Sequence, residues 1–405
     1  MANHKSMIPA AARVGRFSYA IRNIVTKARE VEATGRTVRY LNIGDPVAFG
    51  FQPPAHLVEA AIRAMRDGHN GYLASAGILE GREAVADDYA ARGVPTSPDR
   101  VILTTGTSEG IELALTAIAD AGDEVLVPCP TYPLYTAILA KLGAVPLYYA
   151  TDPDRGWLPD LEHLESLITP RTRVLVLIDP NNPTGAVYPP GVRRQLLAVA
   201  ARHDLVVLAD EVYGDLGYDG PVPLVGTLDQ DAPVISFSSL SKAYLAPGWR
   251  AGWMVVGRTP RLDEVLAAIK KLADGRLCSP GPMQYGIPAA LRGDRSHQAV
   301  FQRALLERAT LSHQRLSAIP GMRAVMPQAA FYIMPWVALP PGRTDEHFVL
   351  SLLRETGILC VHGSGFGLPP ERGAFRIVFL AAPAELSAVY DEIAAFTSRY
   401  LAGQP

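Results

Sequence analysis

Seven short apolar runs punctuate the middle of the chain: Val101–Leu103, Val125–Val127, Val145–Tyr149, Val174–Ile178, Leu205–Ala209, Val234–Phe237 and Trp253–Val256. Most are apolar at consecutive positions, which is how a strand covered on both faces reads. Between them apolar residues recur at helical spacing, as in Ile111–Ala119, Leu161–Ile168 and Val192–His203. Strand and helix alternating in this way predict an α/β fold with a mostly parallel seven-stranded sheet and helices on both faces. Past Leu291 the pattern changes. A helical stretch at Gln302–Leu316 leads to a strand at Phe331–Met334, a helix at Glu346–Glu355 and strands at Ile358–Val361 and Phe375–Phe379. This predicts a smaller α+β unit. The first 45 residues read as irregular and basic, an arm for the small unit or for a neighbouring subunit. The expected division is a large domain over residues 46–291 and a small one over 292–405, with 1–45 as arm and part of the small domain.

Composition narrows the class. A chain of 405 residues exceeds one ordinary core, and 48% hydrophobic with 19% charged residues suits a soluble, compact protein. The net charge of −2 is spread along the chain, which argues against a nucleic-acid surface or an acidic tail. Cys129, Cys278 and Cys360 are far apart and odd in number. They fit neither a disulfide framework nor a metal cluster, so a reducing cytoplasm and no metal are expected. No run approaches the roughly 20 apolar residues of a membrane span, and Met1–Ser18 lacks a signal-peptide stretch.

The unusual residues collect where strands end, and ligands of open α/β sheets bind outside the carboxyl ends of the strands. Val101–Leu103 runs into Thr104-Thr105-Gly106-Thr107-Ser108 and then a helix. Free N–H groups and the positive helix end make such a turn an anion site, although a plain capped turn reads the same way. Val174–Ile178 ends in Asp179-Pro180-Asn181-Asn182-Pro183-Thr184-Gly185, a rigid loop rich in hydrogen-bonding groups. Leu205–Ala209 ends in Asp210-Glu211-Val212-Tyr213, and a carboxylate at a buried strand tip requires a cationic or proton-donating partner. A structural salt bridge would also meet that need. Val234–Phe237 meets Ser238-Ser239-Leu240-Ser241-Lys242, with Arg250 eight residues on. Serines and an arginine around a lysine suit a phosphate beside a reactive amine.

These loops, with Leu41-Asn42-Ile43-Gly44-Asp45-Pro46 and Phe375-Arg376-Ile377-Val378, resemble the class I aminotransferases among the fold-type I pyridoxal phosphate enzymes. The resemblance runs from about Ile21 to Phe379. It implies pyridoxal 5'-phosphate as cofactor, an amino acid and a 2-oxo acid as substrates, and a homodimer. By that resemblance Lys242 would link to the cofactor and shuttle a proton, and Asp210 would pair with the protonated ring nitrogen. Tyr213 and Asn182 would bond the ring oxygen, and Tyr132 would stack on the ring. Gly106, Thr107, Ser108, Ser239 and Arg250 would bind the phosphate. Tyr72, in Gly71-Tyr72-Leu73, would reach that phosphate from the other subunit. Arg376 would grip the substrate carboxylate, with the Gly44 N–H nearby and Asn182 beside it.

Within the class, Ile21-Arg22-Asn23-Ile24, Leu41–Pro54, Thr169-Pro170-Arg171-Thr172, Asn182–Tyr188 and Arg276-Leu277-Cys278 look like the alanine branch, which exchanges amino groups between alanine and 2-oxoglutarate. The sequence departs from that branch at Ser238-Ser239, where relatives carry Asn-Gly, and at Ser279-Pro280-Gly281-Pro282, which lacks an asparagine. Arg276 and Arg22 are the candidates for reading a distal carboxylate, and either also fits a structural cation. Aspartate, aromatic or branched-chain transamination and a β-lyase are the alternatives on the same scaffold. Neither a DNA-binding domain nor a basic module accompanies the chain, which argues against a cofactor-binding regulator.

Overall fold

The computed structural model describes residues 8, 10–16 and 20–403. All seven apolar runs become strands of one sheet, and an eighth joins them. In chain order they are β1 (Val101–Thr105), β2 (Glu124–Cys129), β3 (Val145–Asp152), β4 (Leu158–Pro159), β5 (Thr172–Ile178), β6 (Val206–Asp210), β7 (Val234–Ser239) and β8 (Ala251–Val256). Their spatial order is β1-β8-β7-β6-β5-β2-β3-β4. The four pairings from β7 through β6, β5 and β2 to β3 are parallel. β8 runs antiparallel to both its neighbours. The expected count of seven is therefore corrected to eight. β4 is two residues long, ends in a proline and pairs antiparallel with the far end of β3 (Thr151 opposite Pro159), so no apolar run announces it.

Continuous hydrophobicity in the central strands follows from their position. In β5, Val174, Val176 and Ile178 face one layer while Leu175 and Leu177 face the other, and each is at most 1% exposed. The first set packs against Ile111 and Leu115 of helix α2 (Gly106–Ile118) and Ile138 and Leu139 of helix α3 (Pro133–Leu142). The second packs against Leu196, Leu197 and Ala200 of helix α4 (Pro190–Arg202). Burial of each such aliphatic side chain contributes roughly 1.5–3 kcal/mol. Trp253 and Met254 are likewise core residues of β8.

A buried ion pair fastens the loop that leaves β5. Arg193 Nε lies 2.9 Å from Asp179 Oδ2, with both side chains almost fully buried. The guanidinium also donates to the carbonyls of Tyr188 and Pro223, each at 2.6 Å. The Tyr188 N–H donates to Asp179 Oδ1 at 3.0 Å. Asn181 Oδ1 accepts from Thr184 Oγ1 at 2.8 Å and holds the turn between them. The Asn182 position is thus set by α4 and by the loop's own polar groups.

Part of the N-terminal segment is regular among the described residues, where an irregular arm was expected. Helix α1 spans Ala20–Glu32 and buries Ile21, Ile24 and Ala28, while Lys27 and Arg29 stay outside. The basic residues hid a short apolar stripe of helical spacing. Arg39–Tyr40 then pairs in parallel with Ile358–Leu359. The C-terminal part contains β9 (Tyr332–Ile333), β10 (Val361–His362) and β11 (Phe375–Val378), antiparallel in the order β9-β11-β10. Against them lie long helices at Ser296–Ser317 and Pro383–Leu401. No described helix is long and apolar enough to cross a membrane.

Candidate active site

The ends of β6 and β7 and the loops after β1, β2 and β5 open on a cavity of about 470 Å³. Its lining brings together Thr107, Ser108, Tyr132, Asn182, Asp210, Tyr213, Ser239, Lys242 and Arg250 with Gly44 and Arg376. Residues more than 300 positions apart in sequence therefore share one surface.

One end of the cavity is an anion cradle. β1 and β8 are antiparallel with Thr105 opposite Ala251, so the turn entering α2 lies against the residue that starts β8. Gly106 has φ +72°, and a β-carbon there would lie 2.2 Å from the Arg250 guanidinium. A β-carbon on Gly252 would lie 2.7 Å from the Gly106 carbonyl carbon. Only glycine permits either approach. Arg250 adopts a left-handed conformation (φ 52°, ψ 38°), which costs on the order of 1–2 kcal/mol for a residue with a side chain. Its guanidinium is steadied by the carbonyls of Pro247 (2.9 Å) and Thr105 (3.4 Å). Thr107 Oγ1 is buried without a hydrogen-bond partner, and Ser239 Oγ accepts from the Ser241 N–H at 3.2 Å. A cation, hydroxyls and the N-terminus of a 13-residue helix fit a phosphate group.

The cavity centre holds an amine and a carboxylate. Lys242 Nζ donates to the Gly44 carbonyl at 2.9 Å and sits over the rings of Phe331 (5.5 Å) and Tyr213 (5.9 Å). Burial, and then the Arg376 charge, push the ammonium down to about 8, so a reactive neutral amine is available near neutral pH. Gly44 thus presents its carbonyl to the lysine here, where a role for its N–H was expected. Asp210 is 3% exposed and is reached only by long contacts, from the Val212 N–H and the Tyr135 hydroxyl, both at 3.4 Å. Burial pushes its carboxyl up to about 6. A carboxylate so poorly served by neutral donors fits a cationic ring nitrogen.

The far side belongs to Arg376, 1% exposed on β11. It donates to Asn182 Oδ1 at 2.9 Å and to the Asn42 carbonyl. The guanidinium lies over two rings, 4.7 Å from the centroid of Tyr332 and 4.9 Å from that of Phe366. A planar cation clamped in this way can take a carboxylate by two parallel hydrogen bonds.

Three of the expected residues do not line this cavity: Gly106, which backs the Arg250 guanidinium, Tyr72, which was expected to serve the other subunit, and Arg276. Tyr72 is 88% exposed on the surface. Arg276, at the end of helix α5 (Asp263–Arg276), turns to Glu109 of α2 (3.2 Å) and to the Leu103 carbonyl (2.8 Å). The Arg22 side chain lies outside the described residues. Cys129 and Cys278 are half-buried. The Cys129 thiol donates to the Gly367 carbonyl, and burial pushes it up to about 11, which keeps it protonated.

Sequence reasoning passed over Tyr332, which lines the cavity with its hydroxyl 2.7 Å from that of Tyr213. It read as one more apolar position of the Phe331–Met334 strand. The available signal was a phenol inside a buried strand, since a buried tyrosine hydroxyl needs a partner.

A family model for aminotransferase class I and II matches residues 37–392. An alanine aminotransferase of Mycobacterium tuberculosis is 38% identical, the match covering 96% of this chain and 92% of that one. The glutamate-pyruvate aminotransferase AlaA of Escherichia coli is 34% identical over 98% of this chain and 99% of its own. Among solved structures, an alanine aminotransferase from Pyrococcus furiosus superposes with a TM-score of 0.94 at 39% identity, covering 96% of this chain and 100% of that chain.

Proposed function

The chain belongs to the class I and II aminotransferases, and from that premise we propose that it moves an amino group between L-alanine and 2-oxoglutarate with pyridoxal phosphate held through Lys242. The observation that carries this reading is the single cavity shared by Lys242, Asp210, Arg250 and Arg376. The names of the relatives direct it toward alanine and glutamate–pyruvate exchange. Ile21 and Ile43 in the lining give an apolar wall that suits a methyl side chain.

When bound, the cofactor supplies an aldehyde to receive the amino group and an electron sink that makes the substrate α-proton acidic. Thr107, Ser108, Ser239 and Arg250 would hold its phosphate, Asp210 its ring nitrogen, Tyr213 and Asn182 its ring oxygen, and Tyr132 its face. Arg376 orients the substrate by its α-carboxylate, so the α-proton faces the lysine. Lys242, brought down to about 8 so that part of it is neutral near neutral pH, takes that proton on its Nζ and hands it on. The same reading divides the chain into a large domain, 46–291, and a small one formed by 292–405 with the N-terminal segment. Pairing of Arg39–Tyr40 with Ile358–Leu359 supports that grouping. It also makes the enzyme a homodimer in the cytoplasm, with Tyr72 from one copy reaching the cradle of the other. The exposure of Tyr72 and of Leu277 (55%) supports a covered face there.

Arg276 acts in this scheme as a strut. It holds Glu109, whose carboxylate accepts from the Thr105 N–H at 2.8 Å and so braces the turn at Gly106. Arg276→Ala is expected to weaken cofactor binding roughly two- to fivefold, the worth of a partly exposed ion pair, and to leave the preference between glutamate and alanine unchanged. Cofactor titration and kcat/KM for both amino acids check this, and a selective loss of glutamate would return Arg276 to substrate contact.

The function is tested by adding single L-amino acids to the yellow holoenzyme with no 2-oxo acid present. Alanine and glutamate should each bleach the visible band once and release a matching amount of pyruvate or 2-oxoglutarate. Continuous pyruvate and ammonia from an unbleached enzyme would make it a lyase.

A further inference from the structure

Tyr332 touches both halves of the site, yet neither the sequence motifs nor the roles assigned above use it. Its ring is 2% exposed and packs edge-on against that of Tyr213, with centroids 5.6 Å apart. The two hydroxyls are 2.7 Å apart. The opposite side of its environment is the Arg376 guanidinium, 4.7 Å from the ring centroid. Register fixes this arrangement. On the paired strands β9 and β11, Tyr332 stands opposite Val378, two residues from Arg376 and therefore on the same side of the sheet. Gly44 closes the third side, since a β-carbon there would come within 2.5 Å of the Tyr332 hydroxyl. A group bulkier than this phenol would press on Gly44, whose carbonyl accepts from Lys242 Nζ.

We propose that Tyr332 is a positioning residue with two separable duties: its hydroxyl sets Tyr213, and its ring sets Arg376. The inference rests on the cofactor reading above, in which Tyr213 faces the cofactor ring oxygen. A phenol whose own oxygen accepts a hydrogen bond is a stronger donor. With the Tyr332 hydroxyl in place, Tyr213 draws charge from that ring oxygen. Without it, more negative charge remains beside the proton held at the Lys242 nitrogen, and the proton is bound more tightly. The charged groups acting on that nitrogen are Arg376 and Arg250, which oppose the proton, and Asp45 and Asp210, which favour it. All four are unchanged by Tyr332→Phe, which keeps the ring over Arg376.

The ring's duty is different in kind. A cation over an aromatic face gains attraction, and flat stacking fixes the plane in which the guanidinium offers its N–H groups. The Phe366 ring also lies near the guanidinium, at 4.9 Å. Loss of the Tyr332 ring releases Arg376 to tilt, which weakens the carboxylate grip and leaves Tyr213 aside.

Two variants separate the duties. Tyr332→Phe keeps the ring and removes the hydroxyl; Tyr332→Leu removes both. The holoenzyme of each is titrated with acid and base while its visible absorbance is followed, and kcat and KM for L-alanine are measured. Tyr332→Phe is expected to move the absorbance midpoint upward by roughly half to one pH unit, the worth of one hydrogen bond, with KM within about twofold of wild type. Tyr332→Leu should move the midpoint as well and raise KM roughly three- to thirtyfold. A Tyr332→Phe midpoint equal to wild type overturns the hydroxyl's duty. A Tyr332→Phe KM as high as that of Tyr332→Leu overturns the ring's. The titration needs no substrate, so it still judges the hydroxyl if alanine proves not to be the donor. A wild-type protein that takes up no cofactor would instead refute the cofactor reading.

Discussion

Lys242→Ala is expected to lower transamination roughly 10⁴-fold, the upper range for removing a positioned proton-transfer group. The lysine is the one amine lining the cavity, and burial with the Arg376 charge brings it down to about 8. Those conditions let one nitrogen serve first as nucleophile and then as base. A structural cation would be replaceable by arginine, so Lys242→Arg separates the readings. The guanidinium remains protonated at every usable pH and can neither attack nor accept a proton. Both variants should therefore be equally inactive in a coupled assay for pyruvate formation, and denatured samples should release cofactor that was bound without a covalent link. The cradle around Gly106 and Arg250 remains intact in both, so cofactor binding should weaken and persist. Activity above about one hundredth of wild type in either variant would remove Lys242 from its role.

Asp210→Ala should cost roughly 10²- to 10⁴-fold in kcat/KM. Removing one partner of a buried charge pair is worth about 3–5 kcal/mol, and 1.36 kcal/mol is a factor of ten. The carboxyl is buried at the tip of β6 with two 3.4 Å contacts, and burial pushes it up to about 6 despite those donors and the Lys242 charge. A cation beside it reverses that direction and keeps it ionised. Asp210→Asn keeps the shape and removes the charge, so it should fall nearly as far as alanine if charge is what matters. If the asparagine variant works within tenfold of wild type, Asp210 is a packing residue and the ring-nitrogen assignment fails. Circular dichroism of both variants guards against simple unfolding.

The central sheet was legible because its strands are apolar on both faces, as the split of Val174, Val176 and Ile178 from Leu175 and Leu177 demonstrates. Leu158–Pro159 was not, since two residues paired at an edge leave no periodic trace. Helix α1 was hidden because its buried stripe of Ile21, Ile24 and Ala28 is interleaved with charges. Residues carried on strand-end loops, such as Lys242 and Asp210, stood out because their polarity contradicts their setting. Tyr332 was silent because half of a tyrosine is apolar, and only the fold puts it on the face of Arg376 with its hydroxyl against that of Tyr213. Arg276 could be read from the sequence either as a reader of a distal carboxylate or as a structural cation, and in the fold Glu109, 167 residues earlier, holds it.

The antiparallel placement of β8 against β1 has a further bearing on how the chain comes into being. Translation delivers Gly106 early, yet the cradle is complete only when Arg250 arrives and β8 slots between β1 and β7. A nascent chain that has emerged as far as Val256 already carries every cradle residue together with Lys242 and Asp210. Tyr332 and Arg376 are still to be made. In order of synthesis, then, the means of holding a phosphate-bearing cofactor precede the means of judging a substrate.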